Sequence, residues 1–161
     1  MPAFRVSIGQ LQRMVDERFP VRYRAGNLFD LEVQAPRLRL VPQQNRLASE
    51  MVLEAAGPAL RRSYSGSLDV DFALRYEPSD QSIRAHALRV HSLHWPEVPP
   101  QTLLFLDAYA QALAQEALLE VVLHRLRPRD LALADAMGLQ PGDITVTADG
   151  LLIGFVAKEG R

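Results

Sequence analysis

The sequence predicts an α+β fold: a strongly curved antiparallel sheet, made of a four-stranded meander plus a C-terminal hairpin, wrapped around one long helix, with an N-terminal helix covering the remainder. Three observations carry this expectation. The run Thr102 to Leu126 is of helix length and apolar on nearly every side, its polar Asp107, Gln111, Gln115, Glu120 and His124 making one narrow seam. As a single helix it would be a rod of about 36 Å that needs covering. From Val21 to Trp95 the hydrophobic period shortens from helical to alternating, in consecutive runs joined by short turns. Near the end, Asp149-Gly150 separates two apolar runs, a strong two-residue hairpin signal.

Each element follows in order. Phe4 to Val6 reads as a short strand. Ser7 with Gln10 fits a capping box that opens a helix running to about Arg18, with Ile8, Leu11, Met14 and Val15 on one face. Phe19-Pro20 ends it, because proline pushes the preceding residue out of helical geometry. Phe29, Leu31, Val33 and Ala35 alternate with polar residues, and the phase slips near Pro36, where a bulge or bend is expected. Leu47, Met51, Leu53 and Ala55 make the second run, closed by Gly57-Pro58. Tyr64, Leu68, Val70, Phe72, Leu74 and Tyr76 make the third, and Ile83 to Trp95 the fourth, again with phase slips. Pro96, Pro99 and Pro100 lead stiffly into the long helix, which Pro128 stops. Asp130 is placed to cap a short helix ending at Gly138, and Ile144 to Thr147 pairs with Leu151 to Val156 in the hairpin.

The chain of 161 residues fits one domain, 1–161, and is 48% hydrophobic and 23% charged, which argues against disorder. A net charge of −1 provides no global field towards nucleic acid or anionic membrane, so no nucleic-acid partner is expected. The absence of cysteine excludes disulfides, thiolate metal sites and a cysteine nucleophile. Asp107, Gln111, Gln115, Glu116 and Glu120 interrupt the long apolar run, so it is not read as a membrane span.

The Ser7-Ile8 and Leu11 helix opening, the Phe19-Pro20 exit, the Leu38 and Leu40 strand, Gly66-x-Leu68-x-Val70 and the closing Gly138-Leu139-Gln140-Pro141-Gly142-Asp143-Ile144-Thr145-Val146 together span nearly the whole chain. In these the sequence resembles the YceB-like family of bacterial lipoproteins. The resemblance implies a helix wrapped by a highly curved antiparallel sheet, similar to half of a tubular lipid-binding fold. It also implies a periplasmic or outer-membrane-associated envelope location, with a lipid-modified cysteine at the mature N-terminus. This sequence departs there, having neither cysteine nor signal segment, so anchoring would require an N-terminal segment that has been removed. The family carries no catalytic residues to transfer.

Chemistry-bearing residues are sparse. His86, His91 and His94 lie close together, but strict alternation puts His91 on the face opposite to the other two, and no metal site or cofactor is expected. Ser63, Ser65 and Ser67 sit in no nucleophile elbow, and Asp69 and Asp71 share their solvated face. No phosphate-binding glycine motif occurs. Arg125, Arg127 and Arg129 cluster where the helix dipole favours cations. Tyr64, Phe72, Tyr76, Trp95, Phe105 and Tyr109 are the candidate ligand-binding residues, because acyl-binding pockets are mainly apolar. The expectation is a non-enzymatic envelope protein binding lipid or another apolar molecule between sheet and long helix. The alternative is a structural protein burying the apolar helix face in a homo- or hetero-oligomer.

Overall fold

The structure is a computed structural model that describes residues 3–117 and 121–158, and side chains outside 111–121. It corrects the expected fold. Strands dominate, the main sheet is a curled half-barrel, and no long helix is wrapped by it.

The chain opens with β1 (Ala3–Ser7) and α1 (Ile8–Asp16). The capping box forms as expected: the Gln10 N–H donates to Ser7 Oγ at 3.1 Å, and the Ser7 N–H donates to Gln10 Oε1 at 2.8 Å. Five strands and a single 3-10 turn follow before the bulk of the meander is complete. They are β2 (Val21–Ala25), β3 (Phe29–Val33), β4 (Arg37–Val41), the turn Pro42–Gln44, β5 (Arg46–Ala56) and β6 (Tyr64–Glu77). Then come β7 (Ser82–His94), α2 (Pro100–Ala117), β8 (Val121–Arg125), α3 (Pro128–Ala136), β9 (Leu139–Val146) and β10 (Gly150–Ala157).

Two sheets result rather than one. The large sheet has the order β2-β3-β5-β6-β7-β8, with β4 also pairing β5, and the small one is β1-β10-β9. The C-terminal hairpin therefore pairs with the first strand of the chain and not with the meander. Packing of β9 on β6 joins the two sheets. Asn45, in a left-handed conformation after the 3-10 turn, clamps them: its Nδ2 donates to the Ile144 carbonyl at 3.2 Å and its Oδ1 accepts from the Val146 N–H at 2.7 Å.

The bend at Pro36 is a one-residue bulge. Val33 pairs with Leu53 and Leu38 with Ser49, so five steps on the β3–β4 side face four on β5. That extra residue returns Leu38 and Leu40 to the inner face, where the alternating pattern had lost its phase.

The long apolar run does not stay helical. α2 ends at Ala117, and Val121–Arg125 forms β8, antiparallel to Ser82–Ala85 of β7. β-Branched Val121 and Val122 favour extended backbone, and the open edge of β7 supplies hydrogen bonds that continue into the Leu126 N–H to Gln81 carbonyl bond at 2.8 Å. Leu118, Leu119 and Glu120 of the expected helix lie outside the described residues, as do the side chains of Gln111, Leu113, Gln115 and Val121. The helix seated deep in the core is instead α1. Its Leu11 and Val15 are fully buried, and it packs against β4 and β8.

Gln12 seals the gap between α1 and the sheet. Its Nε2 donates to the Pro36 carbonyl at 2.8 Å and its Oε1 accepts from the Leu38 N–H at 2.8 Å, as a neighbouring strand would. Gln12→Ala is expected to cost about 1–3 kcal/mol, because both backbone groups lose their partner. Urea unfolding at neutral pH reads this as a lower midpoint with an unchanged slope.

Candidate functional site: the concave face of the half-barrel

The inner face of the large sheet is built by alternation. Phe29, Leu31 and Val33 on β3 share it with Leu47, Ser49, Met51, Leu53 and Ala55 on β5, and with Tyr64, Gly66, Leu68, Val70 and Phe72 on β6. On β7 the register puts Val90 opposite Val70 and Leu93 opposite Leu68, so both face inward. The Trp95 ring packs against Gly66. A Cβ there would come within 2.5 Å of Trp95 Cε3, so only glycine admits the ring.

One end of this face is closed by α1 and β8, the other by α2. Phe105 and Tyr109 of α2 meet Phe29 edge-to-face, with ring centroids 5.1 and 5.0 Å apart. Leu106 and Ala110, on the adjoining side of the helix, are buried. Between the two closures lies a flank that is only part covered. β8 pairs β7 from Ser82 to Ala85, and among the described residues no strand pairs that edge of β7 further on. Burial follows this boundary. Ile83 and Ala85 are buried, Leu88 and Leu93 half-buried, and Val90, although facing inward, is 45% exposed.

Unpartnered buried polar atoms occur on β5, on α2 and just after β7. Ser49 Oγ, Trp95 Nε1 and Asp107 Oδ1 are buried without a hydrogen-bond partner among the described residues. Such groups are rare in folded proteins and cost about 1–3 kcal/mol each.

The six candidate aromatic residues divide among three surroundings. Tyr64, Phe72 and Trp95 belong to the buried core lining the concave face. Phe105 and Tyr109 are half-buried on α2, where burial raises the Tyr109 hydroxyl above its ordinary pKa and the nearby Asp30 adds to the effect. Tyr76 is elsewhere. It lines a cleft of about 550 Å³ between the β6–β7 turn, α3 and β9, with Pro78, Leu131, Leu139 and Pro141, and Lys158 pairs with Asp135 at its rim.

The outer face carries a charged cluster that alternation had partly concealed. Two bulges, one at Ala87 and Leu88 and one at His91, shift the phase of β7. They bring His91 onto the outer face, correcting the expectation that it opposes His86 and His94, which pair with Ala73 and Ser67 there. His91 Nε2 bonds Asp71 Oδ2, while Arg46 Nε and Arg89 Nε donate to Asp71 Oδ1, the latter at 2.8 Å. Asp71 is thus 6% exposed on a face read from sequence as solvated. Burial alone would raise its pKa; the hydrogen bonds from Arg89, His91 and Arg46 outweigh that and hold it far below the ordinary carboxylate range. Both carboxylate oxygens of Asp71 are engaged, which makes this a structural hub.

Among the described residues, no cluster of three or more His, Asp or Glu is placed to hold a metal, and no helix is long and apolar enough to cross a membrane. No family model matches the chain, and comparison with curated proteins gives no significant match.

Proposed function

We propose that this chain is a non-enzymatic binding module that takes the alkyl part of a small amphiphile onto the concave face, entering along β7 between Leu88 and Leu93. The observation that carries the reading is Val90, which the register places opposite the buried Val70 on the inward face and which is nevertheless 45% exposed. An alkyl chain laid there would remove apolar surface from water at about 25 cal/mol per Å². The neighbouring Leu88 and Leu93 supply a continuous apolar floor. The resemblance to YceB-like lipoproteins supports an envelope setting, where such ligands are abundant.

Trp95, the single tryptophan, lines this face and reports on it directly. Decanol is expected to shift Trp95 emission in a saturable way. Val90→Asp is expected to weaken that binding at least tenfold, since an apolar ligand would have to desolvate a carboxylate. Unchanged Trp95 emission in the wild type up to the solubility limit of decanol would contradict the proposal.

A further inference from the structure

We infer that the cleft between α3, β9 and the β6–β7 turn is a second ligand site, which takes a neutral, disaccharide-sized sugar. This site is separate from the concave face. Tyr76 lines the cleft, whereas Gly66, against which the Trp95 ring packs, is about 33 Å away along β6.

One wall of the cleft is a single face of α3. Pro128, Leu131, Ala132, Asp135 and Ala136 recur at helical spacing, so they form one continuous stripe. The stripe rises about 12 Å, close to the length of a disaccharide. The other elements contribute Tyr76, Pro78, Leu139 and Pro141, and the space between them, about 550 Å³, is of ordinary size for a small-molecule site.

This lining fits a sugar better than an alkyl chain, an ion or a peptide. Its floor is apolar, with Leu131 and Pro141 buried and Tyr76 half-buried. The C–H face of a pyranose, slightly positive, stacks on the slightly negative face of an aromatic ring. The polar lining residues are Gln81, Gln140, Asp135 and Lys158. An alkyl chain would strip water from all four and return no hydrogen bond. Sugar hydroxyls both donate and accept, so they match amides, a carboxylate and an ammonium alike. The Gln81 and Gln140 amides and the Tyr76 hydroxyl make no hydrogen bond among the described residues and are available. Lys158 and Asp135 pair with each other, so they leave no net charge to hold an ion. Glu77 and Asp80, whose charges act on Tyr76, are themselves paired with Arg75 and Arg84. A peptide strand needs backbone donors along the groove, and Pro78, Pro128 and Pro141 have none.

Lys158 is the only lysine, and its N–H is fixed to the Gly138 carbonyl at 3.0 Å. Selective isotope labelling of lysine and tryptophan therefore gives one NMR reporter in the cleft and one, Trp95, outside it. Cellobiose, maltose and di-N-acetylchitobiose are the probes. At least one is expected to shift the Lys158 signal saturably in the millimolar range and to leave Trp95 unmoved, whereas decanol is expected to move Trp95 alone. Tyr76→Leu keeps an apolar side chain but loses the ring, and is expected to weaken binding of that sugar about tenfold. Ala136→Leu, at an exposed position, is expected to fill the groove and abolish binding; an unfolding midpoint equal to that of the wild type confirms that it is folded. The absence of a saturable Lys158 shift with all three sugars would overturn the inference and leave the concave-face site standing. A shift that survives both substitutions, or an equal shift with acetyl-tetra-alanine amide, would overturn it as well.

Discussion

Phe29→Ala is expected to destabilise the protein by about 3–5 kcal/mol and to detach the start of α2 from the half-barrel. The ring is buried at the start of β3 and is the common contact of Phe105 and Tyr109. Its loss combines the transfer cost of a buried aromatic, the cavity left behind and two edge-to-face contacts. Of the other apolar residues in the described part of α2, Leu106 and Ala110 stay buried while Leu104 points to solvent, so the two ring contacts are the part of its anchorage that the substitution removes. The effect should therefore be uneven. Hydrogen exchange is expected to rise sharply in residues 101–110 while α1, anchored by Leu11 and Val15, keeps its protection. Uniform loss of protection in both helices would show that the Phe29 contacts do not hold α2 locally.

Asp71→Leu is expected to cost about 3–5 kcal/mol at neutral pH, because it leaves Arg46 largely buried without its counter-charge. The same contact sets an acid limit. The folded-state pKa of Asp71 is depressed, so its stabilisation is fully present above the unfolded-state value near 4 and is lost as pH falls towards the folded value. Urea unfolding at pH 7 and pH 3 is expected to show a smaller pH dependence for Asp71→Leu than for the wild type. Equal pH dependence would mean that other carboxylates dominate acid unfolding.

Local signals in the sequence were legible where one short-range interaction decides the outcome. The Ser7–Gln10 box, the slip at Pro36 and the left-handed Gly138 behave as read. The fold class was not, because the Thr102–Leu126 run is apolar enough to be helix or strand. Composition could not show that the edge of β7 at Ser82–Ala85 would recruit Val121–Arg125; the Val121-Val122 pair was the available hint. Long-range pairing also decides the candidate site. Val90 faces inward opposite Val70 only because of the bulge at His91, a fact of register that alternation cannot reveal. His91 was assigned to the wrong face because each bulge inverts the alternation after it. Asp71 looked like a solvated acid because two of its partners are far away, Arg46 on β5 and Arg89 on β7.

Photo-crosslinking with a diazirine-bearing decyl amphiphile, followed by peptide mapping, tests the concave-face claim most directly. The predicted result is labelling concentrated in residues 88–95 of β7 and its exit, competed away by decanol and reduced in Val90→Asp. Labelling confined to the cleft around Tyr76, Leu131 and Leu139, or labelling that decanol does not compete, would contradict it.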